Sequence, residues 1–235
     1  MMKLSAPIFR LKKEARALSR AEGLALHEAL DRLASREGFA SWSLLTARYK
    51  AGGSAATVLA RFRPGDLVLL AGRPGQGKTM LGLALIAEAS RAGREAIVFS
   101  LYLTEREIAD ALTGEHQAAL AHVRIDAGEG IDAAHIVAAA KDITPGGVIL
   151  VDYLQLLDQR RGSLPLDEQL KTLKAFASES RAVLVLLSQV GRSFELQDRD
   201  FPDFADVHLP NPADLSLFSA ACFMKAGALR FAELT

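Results

Sequence analysis

Short apolar runs alternate with amphipathic segments along residues 55–235. Runs of strand length that are separated by helix-like segments mark buried strands of a parallel sheet. The predicted strands are residues 67–71, 95–101, 121–125, 146–151 and 182–187, and the predicted helices are 55–62, 80–92, 104–112, 131–143 and 166–178. This order predicts an α/β core whose mostly parallel sheet is covered by helices on both faces. Residues 220–231 predict a hairpin that turns near Ala226 and Gly227 and closes the sheet with antiparallel character.

The first fifty residues have a different pattern, with apolar residues at helical spacing. Helices are predicted at 8–22, 27–36 and 42–49. Their predicted inward residues are Leu11, Ala15 and Leu18 on the first helix and Leu26, Leu30 and Leu33 on the second, and Ser41 is the predicted N-cap of the third. Three short helices make a small core, so we expect this unit to dock on the larger domain or on a neighbour. Residues 51–54 are predicted as a linker between a helical unit, 1–50, and a core, 55–235.

Charge is divided unevenly although the chain is neutral overall. Residues 1–64 contain twelve Lys and Arg against five Asp and Glu, which leaves sixteen against twenty-three in the remainder. The basic N-terminal part is therefore expected to meet something acidic, either nucleic acid or the acidic body of this or a neighbouring chain. A solvated helix face is the alternative. Helix, turn and helix also fits a DNA reader, but small helical adaptors are more common and no base-reading face is evident.

The apolar run 67–71 opens into G-x-x-x-x-G-K-T at residues 72–79. Glycines permit backbone angles closed to residues with a Cβ, so successive N–H groups can converge on a phosphate at the start of the next helix. In such a loop Lys78 reaches the β- and γ-phosphates and Thr79 the magnesium ion. The predicted nucleotide contacts are Gly72, Arg73, Pro74, Gly75, Gln76, Gly77, Lys78, Thr79 and Met80. A chance match at a Gly/Pro turn is disfavoured by the strand before it and the helix after it.

A second strand ends in a carboxylate. Val148-Ile149-Leu150-Val151-Asp152 is a buried-type strand followed by an acid, and carboxyl ends of parallel strands gather at one edge of the sheet. Asp152 can therefore hold Mg²⁺ or its water shell next to the phosphate loop.

The segment Asp152-Tyr153-Leu154-Gln155-Leu156-Leu157 resembles the D-Y-L-Q-L segment of DnaB-type replicative helicases, which are RecA-like ATPases. Residues 63–67, 72–79 and 98–101 resemble further segments of that family, and Ser188-Gln189 with Arg192 and Glu195 is similar to its S-Q-x-x-R-x-x-E segment. The resemblance covers roughly residues 55 to 200. It implies a RecA-like core that binds ATP and Mg²⁺, Gln189 as a sensor near the γ-phosphate, nucleic acid as a partner, and nucleotide held between subunits of a homo-oligomer.

The chain departs from that family pattern at Ser100-Leu101-Tyr102-Leu103, where Tyr102 stands in the place of the glutamate that activates water. A phenol with a pKa near ~10 is a poor general base at neutral pH, so hydrolysis is expected to be slow. Glu105 is the nearest substitute by sequence. It also falls within the capping-box pattern of residues 104–107, which gives it a structural role as a first-turn acid.

Other features limit the choice of function. Residues 192–202 form a predicted polar loop whose net acidic charge weakens a grip on DNA, so weak DNA binding is assigned to the basic N-terminal unit. Lys225 and Arg230 are candidates to reach a neighbour's nucleotide, with an edge-hairpin surface role as the alternative. The single cysteine and the spacing of the histidines predict no zinc site. Because no apolar run of membrane length and no signal peptide is present, a cytoplasmic protein is expected.

Three functions fit these observations. The first is a small helicase-like ATPase that couples ATP turnover to movement on DNA. The second is a regulatory or loader-like switch that binds ATP but hydrolyses it poorly. The third, a small-molecule kinase, is disfavoured by the D-Y-L-Q-L and S-Q segments.

Overall fold

The structure is a computed structural model that describes residues 5, 8–43, 45, 55–113, 122–158, 164–197, 199–209 and 211–233. The chain forms two compact units. The smaller consists of Met1–Ser54 with the segment Lys225–Leu229, and the larger of Ala55–Met224 with Arg230–Thr235. The predicted linker at 51–54 lies outside the described residues.

The smaller unit contains helix α1, Ile8–Glu22, and helix α2, Leu26–Arg36. Its core consists of Leu11, Ala15, Ala29, Leu33, Ala34 and Leu45. Leu26 was predicted to point inward but is 44% exposed, because it is the first residue of α2 and the buried stripe begins one turn later. Most of the predicted third helix lies outside the described residues.

The larger unit is built on a seven-stranded sheet. The strands are β1 Leu67–Gly72, β2 Ala96–Ser100, β3 Val123–Asp126, β4 Val148–Asp152, β5 Val183–Gln189, β6 Ala220–Lys225 and β7 Ala228–Glu233. Their spatial order is β3-β2-β4-β5-β1-β6-β7, and the pairings from β3 to β6 are parallel. The carboxyl ends of β1, β2, β4 and β5 therefore lie along one edge.

In the described part of the larger unit, five α-helices accompany the sheet. They are α3 Ala55–Leu59, α4 Lys78–Arg91, α5 Glu105–Thr113, α6 Ala133–Ala139 and α7 Leu166–Ser180. Alternate residues of the fully buried β1 point to opposite faces, and Leu67, Leu69 and Ala71 join one core cluster with residues of α6 and α7. On α4, Gly82 allows close packing on the sheet, because a Cβ there would lie 2.8 Å from the Leu150 side chain.

The predicted turn at residues 226 and 227 connects β6 and β7, which are neighbours in the sheet. Ala226 has φ 50° and Gly227 has φ 79°. Two consecutive positive φ values are characteristic of a two-residue hairpin turn, which joins antiparallel strands. The hairpin and the α/β core are thus confirmed. The strand and helix ends differ from prediction by up to four residues, since helix ends depend on caps that periodicity does not reveal.

Candidate nucleotide-binding site

The glycine-rich loop lies between β1 and α4. Gly75 has φ 76° and Gly77 has φ 90°, and a Cβ at either position would meet nothing, so backbone conformation alone selects glycine there. Helix α4 begins directly after Gly77, and no side chain caps its first amides. These N–H groups carry the positive end of the helix dipole and can receive an anion. The loop therefore fits a bound phosphate.

Two side chains with oxygen atoms suited to Mg²⁺ meet beside this loop. The hydroxyl of Thr79 donates a hydrogen bond of 2.9 Å to the Asp152 carboxylate, although the residues are 73 positions apart. Thr79 lies in the first turn of α4, and Asp152 is the last residue of β4 and is 6% exposed. The pair thus brings together the two predicted magnesium residues.

Lys78 and Asp152 influence each other electrostatically. Lys78 Nζ donates to the carbonyl oxygen of Arg73 at 3.1 Å, so the amine is folded back over the loop. Burial lowers the pKa of Lys78, and the Asp152 charge opposes that shift. Burial likewise raises the pKa of Asp152, against the hydrogen bond from Thr79 and the charge of Lys78. Both groups are poorly solvated here, and phosphate and Mg²⁺ would supply the missing opposite charges.

Gln189 ends β5 and lines a cavity of about 530 Å³ together with Arg73, Pro74, Arg192 and His208. Its backbone is fixed because its carbonyl accepts from His208 N at 2.8 Å. The neighbouring Ser188 is held by Gln155, whose Nε2 donates to Ser188 Oγ at 2.9 Å and to the His208 carbonyl at 2.6 Å. The D-Y-L-Q-L segment thus supports the strand end that carries the predicted sensor.

Arg73 connects the loop to the chain beyond β5. Its Nη1 donates to Val190 O at 2.9 Å, and its Nε contacts Glu195 Oε1 at 3.0 Å. Sequence reasoning placed Arg73 and Glu195 in separate motifs and did not pair them, since they are 122 residues apart. The contact fixes one wall of the cavity to the phosphate loop.

The remaining predicted loop residues are distributed around this centre. Gly72 ends β1 next to β6, where a Cβ would lie 3.1 Å from Met224, so this glycine allows two strands to approach. Gln76 N bonds back to Arg73 O at 3.3 Å and closes the turn. Met80 lies in the first turn of α4 and is 60% exposed.

The end of β2 is different in chemistry. Ser100 pairs in register with Asp152, and its hydroxyl accepts from the amides of Tyr102 and Leu103 at 3.2 and 3.1 Å. Tyr102 follows in this bend with 78% of its side chain exposed. The turn that the Ser100 hydroxyl stabilises therefore places the Tyr102 phenol two residues beyond the end of β2, and that strand end is the neighbour of Asp152.

Glu105 begins α5 and is exposed. The predicted capping box is present, but Thr104 and Glu107 form it, with Thr104 N donating to Glu107 Oε2 at 2.9 Å. Glu105 is thus not required as a cap, and its assignment as a base stays a prediction.

The polar segment after β5 folds back onto the strand end. Val190 and Val207 form an antiparallel bridge, and Gly191 N donates to Asp206 O at 2.8 Å. Arg199 contacts the buried Asp206 at 2.6 and 2.7 Å and also pairs with Asp203. These ion pairs engage Arg199, which with Arg192 supplies the two cations of residues 192–202.

Arg230 makes two contacts within its own chain, and its role toward a neighbour stays a prediction. Its Nη2 donates to Pro202 O at 2.8 Å and its guanidinium lies 5.6 Å from the Phe223 ring centroid. Cys222 is buried as expected, and burial raises the pKa of its thiol to about 12.

Among the described residues, no group of three or more His, Cys, Asp or Glu side chains is arranged to hold a metal ion. No helix in that part of the chain is long and apolar enough to cross a membrane.

The sequence matches the family model of the DnaB-like helicase C terminal domain over residues 56–120 and 103–210. It is 29% identical over 206 residues to the replicative DNA helicase DnaB of Haemophilus influenzae, covering 68% of this chain and 43% of that protein. For DnaB of Synechocystis the identity is 25% over 176 residues, covering 60% of this chain and 20% of that protein. The chain therefore spans less than half the length of these relatives.

Solved structures agree with the fold. A DnaB-like replicative helicase, described with its interactions with primase, superposes with a TM-score of 0.60 at 16% identity, covering 92% of this chain and 64% of that one. A second solved structure, of an ATPase domain, gives a TM-score of 0.59 at 18% identity, covering 77% of this chain and 81% of that one. These likenesses confirm the RecA-like core. With the family match spread over most of that core, the chain belongs to the DnaB-like helicase C-terminal domain family.

Proposed function

We propose that the core binds ATP with Mg²⁺ and acts in DNA replication or DNA processing as a helicase-like ATPase. The observation that carries the proposal is the hydrogen bond between Thr79 and Asp152 beside an uncapped helix N-terminus and a glycine-rich loop. Family membership supports the same ligand.

In this proposal each group has a defined task. The α4 amides and Lys78 hold the phosphates, and bound Mg²⁺ neutralises charge on them. Thr79 and Asp152 hold the ion or its water shell. Gln189 lies on the cavity wall and contacts the γ-phosphate region. Through this contact the presence of the γ-phosphate affects the segment after β5, which the Arg73–Glu195 pair connects to the phosphate loop.

Hydrolysis is expected to be slow. A positioned general base contributes about 10²–10⁴-fold to a rate, and the β2 end presents Tyr102 instead. This observation favours a second candidate function, a regulatory or loader-like switch in which ATP binding changes the protein's state with little turnover or unwinding.

We further propose that the chain forms a homo-oligomer through this core. The basis is the implied placement of nucleotide between subunits in RecA-like ATPases, together with the charge asymmetry of the chain. Lys225 and Arg230, on the hairpin, stay the candidates to reach a neighbour's nucleotide.

The deciding experiment is titration calorimetry of the full chain with MgATP. Lys78→Ala is expected to abolish measurable binding, because it removes the ammonium group that would pair with the β- and γ-phosphates. That group lies over the loop, 3.1 Å from the carbonyl oxygen of Arg73. Lys141→Ala removes an exposed lysine at the other end of the sheet and serves as the control. Equal MgATP affinity of the wild type and Lys78→Ala would contradict the proposal.

A further inference from the structure

Helix α1 has two chemically distinct faces. Leu11 and Ala15 are buried in the core of the smaller unit, whereas four cations, Lys12, Lys13, Arg16 and Arg20, are exposed. At 3.6 residues per turn the four cations lie within roughly 100° of the helix circumference and about 12 Å of its length. We call them the basic stripe.

The stripe contains no acid. Glu14, the acid of α1 nearest to it in sequence, projects roughly 100° or more away from each of its members around the helix. Among the ion pairs and hydrogen bonds of the described residues, none involves a member of the stripe. The positive charge of this face is therefore not neutralised by neighbouring side chains in the described structure.

The other acids of this unit have structural partners. Glu22 pairs with Arg32, and Glu28 accepts from Ala25 N at 3.0 Å. Asp31 accepts from Trp42 N at 2.7 Å, and Glu37 from Ser5 N at 2.7 Å. The acids stabilise helix ends and turns, whereas the stripe cations make no such contact, so their charge is available to a ligand.

We propose that the basic stripe binds the phosphate backbone of nucleic acid without reading sequence. Lys and Arg are the usual phosphate-binding residues, and a linear array of four matches an evenly charged polymer. Contacts from Lys and Arg to phosphate oxygens carry no sequence information, so sequence-independent binding is expected.

An acidic protein surface is the competing occupant. The larger unit has many acids, but several already have cationic partners in the same unit: Glu88 with Arg91, Asp167 and Glu168 with Lys171, Glu195 with Arg73, and Asp203 and Asp206 with Arg199. These six acids share four cations and are compensated only in part, whereas every phosphate of nucleic acid carries a full charge, which favours nucleic acid.

The proposal fixes an expected salt dependence. If all four cations meet duplex phosphates, the slope of log K against log salt is at most about −3.6, and affinity falls by about 100-fold between 50 and 200 mM salt. A single strand gives a shallower slope of about −2.8. The slope therefore measures how many phosphates are contacted on each probe, and the affinities of the two probes at one salt concentration show which form the stripe prefers.

The test is fluorescence anisotropy of the full chain with a labelled mixed-sequence oligonucleotide, single-stranded and duplex, without ATP. The stripe variant is K12Q/K13Q/R16Q/R20Q. The control R36Q/R63Q/R106Q/K141Q removes the same charge from exposed positions elsewhere. We expect the stripe variant to bind at least about tenfold more weakly, and the control to change binding by about twofold or less.

An equal loss in both variants would show that only net charge matters, and unchanged binding by the stripe variant would exclude the stripe; either result overturns the proposal. A wild type that binds neither probe also overturns it, and a stripe-dependent, salt-sensitive self-association would then identify the acidic protein surface as the occupant. Helix content by circular dichroism is measured alongside. Because the assay contains no ATP, its result is independent of MgATP binding by the core.

Discussion

The ends of β4 and β2 are neighbours in the sheet, and they carry different sets of functional groups. At the end of β4, Asp152 meets Thr79 at 2.9 Å beside the glycine-rich loop, so the groups that would bind nucleotide and Mg²⁺ are together. At the end of β2, one strand away and in register, Ser100 shapes a bend that exposes Tyr102. This comparison leads us to propose that nucleotide binding and hydrolysis depend on different strand ends and can be lost separately.

The difference has a physical basis. Binding groups act through charge and backbone amides, which the fold supplies wherever β1, α4 and β4 meet. A general base must in addition have a pKa suited to neutral pH, and a phenol does not meet that requirement.

The largest effect is expected from Tyr102→Glu, which supplies a carboxylate at the deficient strand end. We expect steady-state ATP hydrolysis to rise by at least about tenfold, equivalent to about 1.4 kcal/mol of barrier, with MgATP affinity little changed. Phosphate release measured with and without single-stranded DNA tests this.

Tyr102→Gln is the matched control, since it removes the phenol without adding a base, and its rate is expected to stay at the wild-type level. A wild type that already turns over at about 10 s⁻¹, a typical enzyme rate, would contradict the comparison. If Glu105→Gln alone then abolished that activity, Glu105 would be the base; if it had no effect, the assignment of the β2 end would be wrong.

The position of the glycine-rich loop beside Asp152 could be predicted from the sequence because its signals are local. Residues 72–79 and the apolar strand before Asp152 each form a contiguous pattern, and parallel strands necessarily bring their carboxyl ends to one edge. The hairpin at Ala226 and Gly227 was predictable for the same reason.

Contacts between distant side chains were not predictable. The pairing of Arg73 with Glu195 and the support of Ser188 by Gln155 depend on how loops return to the strand ends, which periodicity does not encode. The exposure of Leu26 was not predicted, because helical spacing does not show at which residue of a helix its contacts with the core begin.

A smaller effect is expected from Glu195→Gln, which weakens the connection between the phosphate loop and the segment after β5. Glu195 is 57% exposed, and Arg73 keeps its bond to Val190 O, so the loss should be within about 1 kcal/mol, or about fivefold in MgATP affinity. Arg73→Gln should weaken affinity more, because it removes both contacts.

Glu168→Gln, in a comparably exposed pair with Lys171, is the control for general charge effects. The Glu195→Gln effect should shrink at high salt, where exposed pairs are screened. Calorimetry at low and high salt measures both. A larger loss from Glu195→Gln than from Arg73→Gln would mean that Glu195 itself acts on the nucleotide.

The smallest effect is expected on the stability of the protein without ligand. It tests whether the buried charge of Asp152 destabilises the folded state when no nucleotide is bound. Burial raises the pKa of Asp152, so the folded state prefers the protonated acid, and above the unfolded pKa the ionised carboxylate opposes folding. Asp152→Asn should therefore raise Tm at pH 7 by about 2 °C in chelator, partly offset by the lost attraction to Lys78. The advantage should disappear as pH falls through the folded pKa toward the unfolded value, because the wild-type carboxyl is then uncharged, as the Asn side chain is at every pH.

With MgATP the order of the two Tm values should reverse, since only the wild type gains ligand stabilisation. A lower Tm for Asp152→Asn at pH 7 would show that the contacts with Thr79 and Lys78 outweigh desolvation, and that the binding side is stable without its ligand.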